Sequence, residues 1–165
     1  VKKVKSIGEY GILFNDAYSD GINYENIVGA LAEFEKAILS IDSPFDEYLA
    51  GNDDSINTEA KKGFELFNKI GCVACHNGRN LGGNLMQNVG LKDAGESRRL
   101  IRVPSLRNVA RTAPYLSSGE MSDLKEVISF VSYHQLIHTL SSEELGQIYK
   151  FLLTLNGRRP RILNE

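Results

Sequence analysis

Two thiols and one imidazole fall within five consecutive residues, Cys72-Val73-Ala74-Cys75-His76, and these are the only cysteines in the chain. Cysteines three apart, with a histidine directly after the second, fit the attachment pattern of a c-type haem. The spacing has a physical reason. Two thiols on one turn at a helix start reach the two vinyl groups on one edge of a porphyrin, and the adjacent imidazole turns beneath the iron as proximal ligand. The sequence therefore predicts one covalent haem c, tethered by Cys72 and Cys75 and ligated by His76. Other chemistries use the same residue types. A thioredoxin-like redox pair requires a βαβ setting, and none is visible. A zinc site requires more ligands, and His134 and His138 are the only other histidines. No second cysteine pair completes a four-thiolate zinc or iron–sulfur centre.

The elements that must position this motif read as helices. Thr58 is placed as the cap of the helix leading into it, with Phe64, Phe67 and Ile70 on the buried face and Gly71 ending it. Upstream, Ile7, Tyr10, Phe14, Ala17 and Tyr18 recur at helical spacing until Gly21. Asn23 is the predicted N-cap of a helix bearing Ile27, Ala30, Leu31, Phe34 and Ile38 on one face. Asp42-Ser43-Pro44 signals a turn, and Phe45, Tyr48 and Leu49 a short amphipathic helical turn. Downstream, residues 77–103 are rich in Gly and Asn and read as loop. Ser105 to Ala110 reads as a short helix, and Ser122 as the start of another with Leu124, Val127, Ile128 and Val131 facing inward. Ser141 and Glu144 form a capping box opening a last helix through Leu145, Ile148, Phe151, Leu152 and Leu155, which Asn156-Gly157 ends. The pattern shows no repeat and no convincing strand.

Composition bounds the partners. The chain's 165 residues suit one domain with an extension, and 42% hydrophobic residues suffice for a packed core. A formal net charge of −2 argues against nucleic acid as a partner. No run of about 18 apolar residues occurs, so no membrane span is predicted. Val1-Lys2-Lys3-Val4-Lys5 lacks the apolar run and cleavage site of a signal peptide, so the chain reads as a mature protein or a piece of one. The runs Lys2 to Lys5 and Arg158 to Arg161 read as solvated ends or as docking points for an acidic partner.

Several segments beyond the motif carry a family likeness. They are Ala30 to Glu35, Ser43-Pro44-Phe45-Asp46-Glu47-Tyr48-Leu49, Gly71 to Gly78, Leu81-Gly82-Gly83-Asn84, Arg102 to Ala110, Thr112-Ala113-Pro114-Tyr115 and Leu152 to Gly157. Together they resemble the C-terminal half of the bacterial di-haem cytochrome c peroxidases, the family that includes the MauG-like proteins. The resemblance implies two haems in two cytochrome-like domains. Peroxide is reduced at the N-terminal haem, and the C-terminal haem receives electrons from a donor cytochrome or small copper protein. It also implies a periplasmic location. Thr112 and Pro114 match positions whose backbone carbonyls help hold a calcium ion between the domains, with the remaining ligand supplied by the other half.

The chain departs from that pattern in informative places. It holds one attachment motif, and it has no tryptophan to match the one between the family's haems. Leu116-Ser117-Ser118-Gly119 stands where the family often has His-Asp-Gly. The position that supplies the family's sixth ligand, methionine or tyrosine, is Val131 here, and valine cannot bind iron. His134 lies one helical turn further on nearly the same face, and Met121 lies 45 residues after His76. These two are the candidates for the distal side of the iron, with an open or water-filled site as the alternative. Met86 is expected in core packing, and Tyr133 points off the Val131 face. His134 or Glu120 is a candidate distal acid–base group if peroxide binds here. Arg102 and Arg107 are candidates for gripping haem propionates, or are solvated surface arginines.

The expected fold is all-α, with a class I-like cytochrome c domain at residues 56–165. Residues 1–55 form a helical extension resembling the family's inter-haem connecting segment. The first functional expectation is a one-electron carrier domain that exchanges electrons with a small redox protein and is part or relative of a di-haem peroxidase. The second is a hydrogen peroxide reductase completed by an N-terminal haem domain outside this chain. The third is a haem-based sensor with an open iron. Apolar surface left by a missing half would favour a homodimer.

Overall fold

Five successive helices start where a short polar side chain accepts an otherwise unpaired backbone N–H. In the computed structural model, which describes residues 1–89 and 99–163, Asn23 caps α3 (Tyr24–Ala37) and Ser43 caps α4 (Pro44–Leu49). Asn57 caps α5 (Thr58–Lys69), Asp123 caps α6 (Leu124–Leu136) and Ser141 caps α7 (Ser142–Leu153). Ser43 and Ser141 each form a reciprocal capping box, with Asp46 and Glu144. Two caps differ from expectation by one residue. Asn57 Oδ1 takes the Ala60 N–H at 2.9 Å, which makes Thr58 the first helical residue. Asp123 Oδ1 takes the N–H groups of Lys125 and Glu126, which displaces Ser122 from the cap. The short helix expected from Ser105 to Ala110 is a single 3-10 turn at Val109–Arg111.

The all-α expectation needs one correction. Within the stretch read as loop, β1 (Met86–Val89) pairs antiparallel with β2 (Arg99–Arg102), in the register Met86 opposite Arg102. Val103 N–H to Leu85 O and Gly83 N–H to Val103 O continue the pairing towards the haem-type motif. The strands are only four residues each, so no local alternation announces them. Residues 90–98 of that stretch lie outside the described residues.

The chain divides into two units. One comprises Val1–Leu39 with the chain end from Arg159, and the other is Ser40–Arg158. The first holds α1 (Lys2–Lys5), α2 (Gly8–Ala17) and α3. Phe14 stacks on Tyr18 at 5.6 Å, and the Asp20 carboxylate accepts from the side-chain amides of Asn23 and Asn26. Ile27, Ala30 and Ile38 are half-buried as the α3 pattern predicts, whereas Leu31 and Phe34 on the same stripe are exposed.

The second unit carries the core. Phe151, fully buried on α7, meets the rings of Phe45, Phe64 and Phe67 at 5.1, 5.3 and 5.2 Å. Truncating a residue placed like this costs about 3–5 kcal/mol. α5 and α7 touch backbone to backbone at Gly63, where a Cβ would stand 2.0 Å from the Gln147 carbonyl oxygen. The compact unit begins at Ser40, so α4 packs with it. The reason is Phe45, only 2% exposed, whose N–H also donates to Thr154 O at the end of α7.

α6 ends unusually. Ile137 adopts φ +53 and is 88% exposed, so a β-branched residue occupies a left-handed cap that glycine normally fills, with no burial in return. The left-handed penalty of roughly 1–2 kcal/mol exceeds the extra chain entropy of glycine. Ile137→Gly should therefore stabilise the protein by about 0.5–1 kcal/mol, read as a higher midpoint in thermal or denaturant unfolding.

Candidate functional site

The packing of α5 against α7 delivers the cysteines. The chain leaves α5 through Gly71, beside the Leu136 side chain at the end of α6. It then makes one 3-10 turn, Cys72–Ala74, rather than the expected helix start. Cys75 N–H and His76 N–H both donate to the Cys72 carbonyl, at 3.3 and 3.0 Å, so the three donor residues share one turn of backbone. Both cysteines are free thiols and partly buried. Burial against the core pushes the Cys72 thiol up to about 11, with a smaller push from Cys75. A thiol that stays protonated at neutral pH is a poor redox nucleophile. The pair also follows a helix C-terminus, so it lacks the setting of a thioredoxin-like centre.

The imidazole of His76 is held by backbone. Its Nδ1 lies 3.2 Å from the Leu81 carbonyl oxygen. A carbonyl only accepts, so the contact puts the proton on Nδ1 and leaves the Nε2 lone pair available. Burial lowers the His76 imidazole below its ordinary range, against the upward pull of the Leu81 and Pro104 carbonyls. The ring is thus neutral at neutral pH, the form in which histidine binds a metal. The Phe67 ring packs 6.4 Å away, centroid to centroid. Two sulfurs and one neutral imidazole on a single turn, with the imidazole tautomer set by the Leu81 carbonyl, fit the donor set a covalent haem requires. Leu81 and Pro104 were not singled out on sequence grounds. The only signal is the Gly82-Gly83 pair beside Leu81, which marks an unusual backbone.

The other predicted residues separate. Arg107 is engaged within the fold. Its guanidinium pairs with Asp46 at 2.7 Å and donates to Ser43 Oγ and to Arg79 O. This ties the α4 cap to the segment after His76, a structural role that competes with gripping a propionate. Arg102 is exposed on β2, opposite Met86. Met86 is half-exposed, at 51%, and does not pack in the core as expected. Met121 is partly buried, and its carbonyl accepts from Tyr115 N–H across an isolated bridge. His134 is partly buried on α6, its ring 4.2 Å from that of Phe130 and 5.1 Å from that of Tyr133. Val131 is partly buried, and Tyr133 and Glu120 are exposed. Thr112 Oγ1 donates to Val109 O, next to the cis peptide bond between Ala113 and Pro114.

Similarity to known proteins extends over nearly the whole chain. A family model described as di-haem cytochrome c peroxidase matches residues 1–54. The chain is 37% identical over 163 aligned positions to the cytochrome c peroxidase Ccp of Escherichia coli, covering 87% of this chain and 35% of that protein. It is 35% identical to the cytochrome c551 peroxidase of Pseudomonas aeruginosa, covering 95% of this chain and 52% of that one. It is 33% identical to the methylamine utilization protein MauG of Methylophilus methylotrophus, covering 98% and 56%. These matches support the di-haem cytochrome c peroxidase and MauG-like family as the one this chain resembles. That family implies haem c as the class of cofactor. The fold is also that of a solved MauG-like protein associated with microbial copper homeostasis, with a TM-score of 0.75 at 23% identity over 94% of this chain and 61% of that one. The chain spans about half the length of the curated relatives it matches. Among the described residues, no helix is long and apolar enough to cross a membrane.

The Asp46–Arg107 pair makes a pH prediction. Partial burial pushes the Asp46 carboxyl up, but hydrogen bonds from Ser43 and Arg107 outweigh it and hold the group below its ordinary value. A carboxylate lowered in the folded state contributes stability that is complete above its unfolded value and is lost as the pH falls through its folded value. Asp46→Asn should lower the melting temperature at neutral pH, with the gap to the wild type closing in the acid range. Melts at stepwise pH check this, and a gap independent of pH would refute it.

Proposed function

We propose that this chain carries one covalent haem c and serves as the electron-transfer half of a di-haem peroxidase-type protein. The observation that carries the reading is the Leu81 carbonyl on His76 Nδ1, which holds a neutral imidazole with Nε2 as its unprotonated nitrogen, on the same turn as both thiols. Cys72 and Cys75 would hold the macrocycle through thioethers, and His76 would be the proximal ligand. The bound haem supplies an iron that changes oxidation state by one electron. The chain's own residues orient the ligand and shield one side of it with Phe67. The domain around them is a class I-like cytochrome c fold in this reading, a reading supported by α5 and α7 crossing at Gly63 next to the motif. A small redox protein would be donor or acceptor, and the periplasm is the compartment in which its relatives' chemistry would place it.

A second reading is favoured by the names of the relatives, which are cytochrome c peroxidases. With an upstream haem domain of the kind their extra length allows, the chain would feed electrons one at a time to peroxide reduction, in which each hydrogen peroxide takes two electrons and two protons to give two waters. This reading predicts turnover with a reduced donor only when that domain is present.

Matured protein should keep its colour in acid acetone, and the Cys72→Ala/Cys75→Ala double variant should release its pigment. Colourless matured protein would end both readings. The electron-transfer reading further expects a six-coordinate, low-spin visible spectrum in both oxidation states. One of the single variants His134→Ala and Met121→Ala should convert that spectrum to high spin and so identify the sixth ligand. A wild-type ferric protein that is already high spin and binds cyanide quickly would instead support an open iron.

A further inference from the structure

The backbone that holds His76 is itself held in an unfavourable conformation. Leu81 is buried and left-handed, with φ +46, where an L-residue rests only if its surroundings impose it. Its carbonyl accepts twice, from His76 Nδ1–H at 3.2 Å and from Leu106 N–H at 3.2 Å. One oxygen thereby couples the His76 ring to a segment 25 residues further along the chain than Leu81. The next residue is buried Gly82, at φ +134. A Cβ there would stand 2.1 Å from the Pro104 carbonyl oxygen and 2.8 Å from its carbon, so the two backbones touch without a side chain between them. The Pro104 carbonyl is also an acceptor acting on the His76 imidazole. Gly82 N–H to Asn77 O at 2.9 Å and Gly83 N–H to Val103 O at 2.7 Å close the loop from both sides. The Leu81 carbonyl on His76 Nδ1 and the Pro104 carbonyl against Gly82 are therefore held by one backbone contact that leaves no room for a side chain at position 82.

We propose that Gly82 is a positioning residue for the haem iron, one that sets how strongly His76 Nδ1–H is hydrogen-bonded and thereby tunes the reduction potential. The inference rests on the covalent-haem reading above. A strong hydrogen bond to Nδ1–H makes the imidazole a better donor and favours the oxidised iron. Any side chain at position 82 must push Leu81 or Pro104 away by most of an ångström, because Cβ atoms do not approach oxygen closer than about 3.0 Å. The bond then weakens and the potential rises. Gly83 provides the matched control. It has φ +82 and open space around its Cα, so Gly83→Ala strains the backbone without a collision.

The test uses matured holoprotein. Acid acetone first verifies that wild type, Gly82→Ala and Gly83→Ala all retain pigment. Loss of pigment from the wild type would refute the haem reading rather than this inference. Gly82→Ala should then show an upward shift in midpoint potential and faster solvent exchange of the His76 Nδ1–H proton by NMR. Gly83→Ala should lower the thermal midpoint and leave potential and exchange unchanged. A Gly82→Ala protein that melts earlier with wild-type potential and exchange would reduce Gly82 to a packing role and overturn the proposal. If Gly82→Ala does not mature, the wild type decides: slow exchange of the His76 Nδ1–H supports the grip of the Leu81 carbonyl, and exchange as fast as an exposed imidazole overturns it.

Discussion

Gly63 lets α5 and α7 approach until their backbones touch, and Phe151 then fills the space beside the crossing. Everything that positions the candidate site follows from that constraint. The crossing sets where α5 ends, and the end of α5 sets where Cys72 begins its turn. Phe67, on the same helix face, packs between the Phe151 ring and the His76 ring. α4 joins the unit through Phe45 and through its N–H on Thr154 O. A side chain at position 63 would move α5, and with it the turn that carries two sulfurs and an imidazole.

The site is built chiefly from backbone groups. Carbonyls of Cys72 and Leu81 determine how the motif folds and how the histidine ring turns. Backbone suits this task because a peptide group held at both ends has little freedom left to lose on binding. Side chains act at one remove. Arg107 spans Asp46, Ser43 and Arg79, so it locks the α4 cap onto the loop that returns from His76.

The two units differ in how they are stabilised. The unit from Ser40 buries a continuous aromatic core. The first unit leaves Ile12, Leu13, Leu31 and Phe34 exposed and relies on local pairs, such as Phe14 on Tyr18 and the Asp20–Asn26 bond. An amphipathic pattern therefore says which residues share a helix face, while burial of that face depends on what packs against it.

Much of this was legible in the sequence. The helices, the Asn23 cap, the Ser141–Glu144 box and the core positions Phe67, Ile148, Phe151 and Leu155 follow from local spacing and chemistry. So does the availability of two sulfurs and an imidazole within one turn, since residue identity and short spacing settle which atoms a turn can present. The caps at Asn57 and Asp123 were missed by one residue because adjacent polar residues compete for the same N–H groups. The β1–β2 pairing, the Arg107 network and the carbonyls of Leu81 and Pro104 were decided only by tertiary structure. Asp46, Ser43 and Arg79 lie far from Arg107 along the chain, the strands are too short for their alternation to announce them, and a backbone carbonyl has the same chemistry at every position, so no residue type marks the one that will meet an imidazole.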